Sequence, residues 1–344
     1  MKFPETIGTE ALLEDVLSEP GTGLVEMMKR LDGDIMILGI GGKMGITLGR
    51  QAANAIKAAG VCKRVIGVSR FSDAAGKNKL EQWGIETISC DLLDQAAVKA
   101  LPEVKNVIFM AGRKFGTEGS AELTWAMNTI VPGYVGDHFR QSRIVVFSTG
   151  CVYPLVSAGT CGCTEQVPPA PVGEYSQSSL GRERVFGHCA KAYGTATLLL
   201  RLNYAIDLRY GVLHDIGQQV WNGQPVNNNV GHFNVLWQGD ANCYALRTLE
   251  LCASPAAVLN ITGPEIVPVE YIAEAFGRLM NKTISYTGIS ADKCYLNNAG
   301  KAFRLLGYPQ VPLEQMIIWQ AQWLMLGGSS LGKPTHFEVN NGKF

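Results

Sequence analysis

The chain has 344 residues, 47% hydrophobic and 17% charged, and its 30 basic and 30 acidic side chains cancel. That length accommodates one large α/β domain with an appended lobe, and a neutral chain without blocks of like charge makes no electrostatic case for nucleic acid or an anionic membrane. No apolar run approaches the roughly 18 residues a bilayer crossing needs, and the opening MKFPETIGTEALLEDV lacks the apolar core of a signal peptide, so a cytoplasmic protein is expected. Nine scattered cysteines fit reduced thiols, and the close pair Cys161 and Cys163 has no second pair to complete a metal site.

Taken in order, Ala11 to Leu17 and Leu24 to Leu31 are spaced like short amphipathic helices on either side of Pro20-Gly21, an N-terminal helical extension over residues 1–33. Ile35 to Leu38 is the continuous apolar run of a buried parallel strand. Glycines at 39, 41, 42 and 45 follow it, before a helix from Ile46 to Ala59 that Gly60 stops. Strand, glycine turn and helix in that order make a phosphate cradle, because glycine lets the backbone approach a pyrophosphate and the helix start supplies free N–H groups.

Val65 to Ser69 reads as a second strand followed by Arg70. A helix around Lys77 to Trp83 leads to a third strand, Glu86 to Cys90, which delivers Asp91. Val107 to Met110 is a fourth strand ending at Ala111-Gly112, and Ile144 to Phe147 a fifth ending at Ser148-Thr149. This alternation specifies an α/β fold: a Rossmann-type doubly wound parallel sheet with its ligand crevice outside the carboxyl ends of the strands. The dinucleotide-binding domain is placed at 34–204, closing with a helix over Tyr175 to Tyr193 and a strand over Thr197 to Leu202.

The Asn- and Gly-rich stretch 205–236 shows no clear element. Helices are expected at Ala241 to Cys252, Val269 to Met280 and Leu313 to Leu326, with a strand at Val258 to Thr262. Residues 205–326 therefore read as a smaller C-terminal substrate lobe with returning Rossmann elements, and 327–344 as an extended tail. His214, His232, Asn227 to Asn229 and Trp237 fall where substrate contacts are expected.

At the end of the second strand, Ser69-Arg70 stands where an acid would hold a ribose 2′-hydroxyl. The planar guanidinium suits a 2′-phosphate, and Lys43 in the glycine turn adds a second cation, so NADP is expected over NAD. The competing reading of Arg70 is an exposed loop cation.

Six motifs in order carry a resemblance: Gly39-x-x-Gly42-x-x-Gly45, Cys90-Asp91-Leu92-Leu93-Asp94, Met110-Ala111-Gly112, Asn128, Phe147 to Tyr153 (FSTGCVY) and Tyr175 to Glu183 (YSQSSLGRE). Over residues 34–326 the chain resembles the extended short-chain dehydrogenase/reductase family, the NAD(P)-dependent sugar epimerases and dehydratases. The resemblance implies that the dinucleotide is held by Gly39, Gly41, Gly42, Lys43, Met44, Gly45, Ser69, Arg70, Asp91, Leu92, Met110, Ala111, Gly112, Tyr175 and Asn203.

It also implies catalysis by Thr149 and Tyr175 on a polyhydroxylated small molecule, with room for a homodimer. One position departs: Ser179 stands where the family places a lysine that holds the ribose and lowers the tyrosine pKa. An unperturbed tyrosine, at a pKa of about 10, is a poor base near neutrality. Lys114 is the preferred substitute cation and Arg182 the second choice.

The expected function is an NADP-dependent oxidoreductase or epimerase acting on a secondary alcohol or ketone of a sugar, sugar acid or related small molecule. Gly150-Cys151 offers no Asp-Glu pair for a dehydratase. The alternative is a catalytically degenerate NAD(P)-binding protein with a structural or redox-sensing role.

Overall fold

The computed structural model describes residues 3–72, 74–113 and 119–339. Its centre is one seven-stranded sheet formed by β1 (Ile35–Leu38), β2 (Val65–Ser69), β3 (Glu86–Ser89), β4 (Asn106–Phe109), β5 (Arg143–Thr149), β6 (Thr197–Leu202) and β7 (Ala257–Ile261). All neighbouring pairs are parallel, in the spatial order β3-β2-β1-β4-β5-β6-β7. The order reverses between β1 and β4, which opens a crevice at their carboxyl ends.

Helices cover both faces, which is why the strands read as unbroken apolar runs. Ile35 and Ile37 of β1 face one layer, with Leu48, Ala52 and Ala55 of α3 (Gly45–Ala59). Met36 and Leu38 face the other, with Val98 of α5 (Gln95–Lys99), Val131 and Val135 of α7 (Val131–His138) and Phe186 of α8 (Gly173–Tyr193). Edge strand β3 is followed less closely, with α4 (Ala74–Gln82) beside it. Gly60 ends α3 in the left-handed conformation at φ 66°.

The N-terminal extension forms α1 (Glu10–Leu17) and α2 (Thr22–Arg30), stacked behind α3 and α10 (Gln238–Arg247). Leu13, Leu17, Leu24 and Met28 are fully buried there. Gln51 of α3 donates from Nε2 to the carbonyls of Glu19 and Gly239, both at 3.0 Å. Thr47 Oγ1 accepts from Gln238 and Asn242 at 3.0 and 3.1 Å and donates to Met44 O at 3.1 Å, tying the glycine turn to α10.

The polar stretch 205–236 holds a helix the sequence reading left out, α9 (Val212–Trp221), whose Val212, Leu213, Ile216 and Val220 are buried. It packs with α11 (Val269–Met280) and α13 (Leu313–Met325) into a second core, while α12 (Gly300–Leu306) packs beside β7. The tail docks instead of extending. Leu331 N donates to Arg209 O at 3.0 Å, Thr335 donates from N and Oγ1 to Asp215 Oδ2 at 2.8 and 2.6 Å, and Phe337 is buried against Phe233.

Candidate active site

The glycine turn is built for close approach. Gly39 has φ 94°, and a Cβ on it would stand 2.7 Å from the Ala111 backbone nitrogen, so the ends of β1 and β4 meet only because residue 39 has no side chain. A Cβ on Gly45 would stand 2.3 Å from Ile40 O. Helix α3 begins there with no side chain capping its first turn, leaving N–H donors and a partial positive charge at the crevice. This cradle fits a pyrophosphate.

Around it, Asp91 is exposed at the end of β3 and accepts Leu93 N at 3.0 Å, with Leu92 buried beside it. Met110, Ala111 and Gly112 leave β4 directly opposite the turn. Ser69 ends β2 beside Gly41, and the Arg70 side chain is exposed, with no ion pair or hydrogen bond among the described residues. Lys43 Nζ is buried 3.3 Å from the ring centroid of Tyr210, a cation–π contact across the lobes.

Beyond β4, the turn after β5 and helix α8 meet. Tyr175, Ser178, Ser179, Arg182 and Glu183 fall at the i, i+3, i+4, i+7, i+8 spacing of one helix face, which turns inward. The Tyr175 phenol is half-buried against the hydroxyls of Thr149 and Ser179. Thr149 Oγ1 also accepts Cys151 N at 3.2 Å, fixing its rotamer. Burial, then the nearby Cys151, push the Tyr175 pKa up, while Arg182, Thr149 and Ser179 pull it down; the net shift is upward.

Asn128 lies in a π-helical turn, Ala126–Ile130, between α6 (Ala121–Trp125) and α7. Its Oδ1 accepts Arg113 N at 3.1 Å and Arg182 Nη2 at 2.5 Å, and its Nδ2 donates to Ser178 Oγ at 2.9 Å. Ser178 Oγ in turn donates to Tyr175 O at 3.0 Å. Lys114, the preferred substitute cation, lies outside the described residues.

On the lobe side, three further tyrosines gather that the sequence reading did not single out. Tyr204 and Tyr295 both lie near Cys151, and Tyr210 lies near Tyr175; burial raises the pKa of all three, so they are neutral phenols. Tyr295 Oη is buried with no hydrogen-bond partner among the described residues. Asn203, at the end of β6, donates to Tyr295 O at 3.2 Å. Only their position after β6 and in the lobe could have flagged them.

Two expected substrate contacts are core residues. Trp237 is 1% exposed and packs on Trp319 with centroids 5.3 Å apart, and His214 is buried between Gln320 and Ser330. Asn227, Asn228 and Asn229 spend their side chains on Asn229 N, Glu270 and Ile289 N. His232 sits in a short antiparallel pairing with Pro268.

A Rossmann sheet, a glycine cradle and a Tyr–Thr pair at the end of β5 define an extended short-chain dehydrogenase/reductase architecture. Residues 35–205 match the model of the NAD dependent epimerase/dehydratase family, and the chain belongs to that family of enzymes through this domain. No curated protein matches the sequence. Among solved structures, a mutant UDP-glucuronic acid 4-epimerase from Bacillus cereus, in complex with UDP-4-deoxy-4-fluoro-glucuronic acid and NAD, aligns with TM-score 0.70 at 17% identity, covering 85% of this chain and 99% of that one. A dTDP-glucose 4,6-dehydratase from Bacillus anthracis in complex with NAD gives 0.71 at 17%, covering 85% and 96%. A UDP-glucose 4-epimerase from Thermus thermophilus with NAD gives 0.68 at 17%, covering 84% and 97%.

Proposed function

We propose that the protein transfers hydride between a nicotinamide dinucleotide and a secondary alcohol or ketone of a sugar, sugar acid or nucleotide-linked sugar. One observation carries this reading: the Tyr175 phenol stands against the Thr149 hydroxyl at the carboxyl end of β5, on the side of the sheet where the glycine cradle opens. Thr149 hydrogen-bonds the substrate oxygen and Tyr175 takes or gives its proton. The dinucleotide, when bound, accepts or returns the hydride.

Gly39, Gly45 and the start of α3 would hold the pyrophosphate, and Arg70 supports a 2′-phosphate as in NADP. The family description and the NAD bound in the solved neighbours support NAD. Affinities of both dinucleotides for wild type and Arg70→Ala decide this. NADP binding weakened about tenfold or more with NAD binding unchanged supports the phosphate contact, and equal NADP affinity in both proteins refutes it.

Gly150-Cys151 carries no carboxylate after Thr149, which supports oxidation or epimerisation over dehydration. The neighbours' bound or named UDP- and dTDP-sugars make nucleotide-linked sugars the first substrates to try. The test is the nicotinamide absorbance of the loaded protein on addition of a panel of sugars, sugar acids and nucleotide sugars, with product isomers followed by chromatography. A saturable change abolished in Tyr175→Phe supports the reading. Tight dinucleotide binding with no turnover of any member supports the non-catalytic alternative, which Ser179 in place of lysine favours.

A further inference from the structure

The tyrosine of this site lacks the lysine expected four residues later, and Ser179, fully buried in its place, carries no charge. One turn further along α8, Arg182 is 6% exposed and has no carboxylate in ion-pair contact among the described residues. Its neighbour Glu183 is engaged by Arg201 at 2.6 and 2.9 Å and by Ser148 Oγ at 2.6 Å. The guanidinium is instead held by neutral acceptors, Phe147 O at 2.7 Å from Nη1 and Asn128 Oδ1 at 2.5 Å from Nη2. Its Nε is buried with no hydrogen-bond partner among the described residues.

A buried cation held only by neutral groups is costly, and an anion formed nearby would offset that cost. The surroundings are shaped for it. A Cβ on Gly112 would stand 2.4 Å from Arg182 Nη2, so a larger residue at 112 would push the guanidinium from the place it holds here. Asn128 reaches it from a π-helical turn, a distortion that re-aims one side chain. Helical side chains lean toward the helix N-terminus, which directs Arg182 from its own turn back toward Tyr175.

We propose that Arg182 replaces the missing lysine: its fixed charge, two turns along the inward face of α8 from Tyr175, stabilises the phenolate, with Asn128 and Gly112 as positioning residues. This rests on the reading of Tyr175 as the proton-transfer group. When the substrate alcohol is oxidised, the hydroxyl proton passes to the Tyr175 phenolate oxygen, and a bound dinucleotide would take the hydride from the carbon that bears the hydroxyl; the Arg182 charge is unchanged throughout. Tyr175 is faced by Cys151 from the turn after β5, by Tyr210 from the lobe, which itself carries Lys43 Nζ 3.3 Å from its ring centroid, and by Arg182 from its own helix. Arg182 is the cation that acts on it to favour ionisation.

The test titrates Tyr175 directly and needs no substrate. The tyrosinate absorbance of NAD-loaded wild type minus that of NAD-loaded Tyr175→Phe isolates its ionisation, and the same difference is taken in three further backgrounds. Arg182→Lys keeps the titration within about one pH unit of wild type. Arg182→Gln, which retains donors for Phe147 O and Asn128 but no charge, moves it up by about one to three units. Arg182→Gln/Ser179→Lys brings it back down by a similar amount.

A Tyr175 titration at the same pH in Arg182→Gln and wild type overturns the proposal, as does failure of Ser179→Lys to lower it. If Arg182→Gln does not fold, Ser179→Lys and Arg182→Lys compared with wild type still read the charge: a second cation must lower the titration and the conservative exchange must preserve it. Should no sugar be turned over while the titration shifts, the functional reading fails and the Arg182–Tyr175 coupling stands.

Discussion

Glu183 of α8 and Arg201 of β6 form a bidentate ion pair between helix and sheet, Nε to Oε1 at 2.9 Å and Nη2 to Oε2 at 2.6 Å, with both side chains nearly inaccessible. Glu183 Oε1 also accepts from Ser148 Oγ at 2.6 Å, so the pair anchors the residue just before Thr149. Burial disfavours the arginine charge, but its pairing with Glu183 outweighs this and raises its pKa. Removing one partner leaves the other charged in a dry environment. Glu183→Gln is expected to destabilise the protein by about 3–5 kcal/mol. The double variant Glu183→Gln/Arg201→Met is expected to lose clearly less than the sum of the two single changes. Urea denaturation midpoints measure all three, and additive losses would show that the pair does not couple.

Tyr175 and Thr149 are expected to fail differently. Tyr175→Phe removes the proposed proton-transfer group and is expected to lower kcat by about 10²–10⁴-fold, with dinucleotide affinity nearly unchanged. Thr149→Ala removes the hydroxyl that orients the substrate and also the acceptor for Cys151 N, leaving a buried N–H unpaired. It is expected to lower kcat/KM and to cost about 1–3 kcal/mol of stability, which Tyr175→Phe does not. Steady-state kinetics beside thermal melts separate the two, and near-normal turnover in Tyr175→Phe would place proton transfer elsewhere.

The Rossmann half was legible because its signals are local. A four-residue apolar strand followed by four glycines, repeated strand–helix alternation and the spacing of Tyr175 to Glu183 all survive in one dimension. Arg182 was visible on the right helix but ranked second, because its value depends on Gly112, Asn128 and Phe147, which lie 35 or more residues away and are brought together only by the sheet. The contact of Lys43 with the Tyr210 ring was hidden for the same reason, since the two residues lie far apart in the chain. Helix α9 was hidden by the Asn- and Gly-rich loop after it, although Val212, Leu213, Ile216 and Val220 already had helical spacing. His214 and Trp237 lie in the region where the family resemblance places substrate contacts, but position in that region does not tell which side chains turn into the second core, as these two do.

The docked tail carries a pH dependence through His214. Its Nδ1 accepts from Gln320 Nε2 at 3.2 Å, which leaves Nε2–H to donate to Ser330 Oγ at 3.0 Å, so the ring is neutral in this network. Burial lowers its pKa below the ordinary value of 6.5. The unfolded chain therefore takes up a proton at a higher pH than the folded one. Stability is expected to be level above pH 6.5 with respect to this group, and to decline as pH falls from there toward the lowered folded value. Protonating Nδ1 also sets a donor against the Gln320 amide, which loosens the contact that holds Ser330 and the chain leading to Thr335 and Phe337. Denaturation midpoints of wild type and His214→Asn between pH 5 and 8 check this. The wild type should lose stability on acidification more steeply than the variant, and parallel curves would show that His214 does not titrate with unfolding.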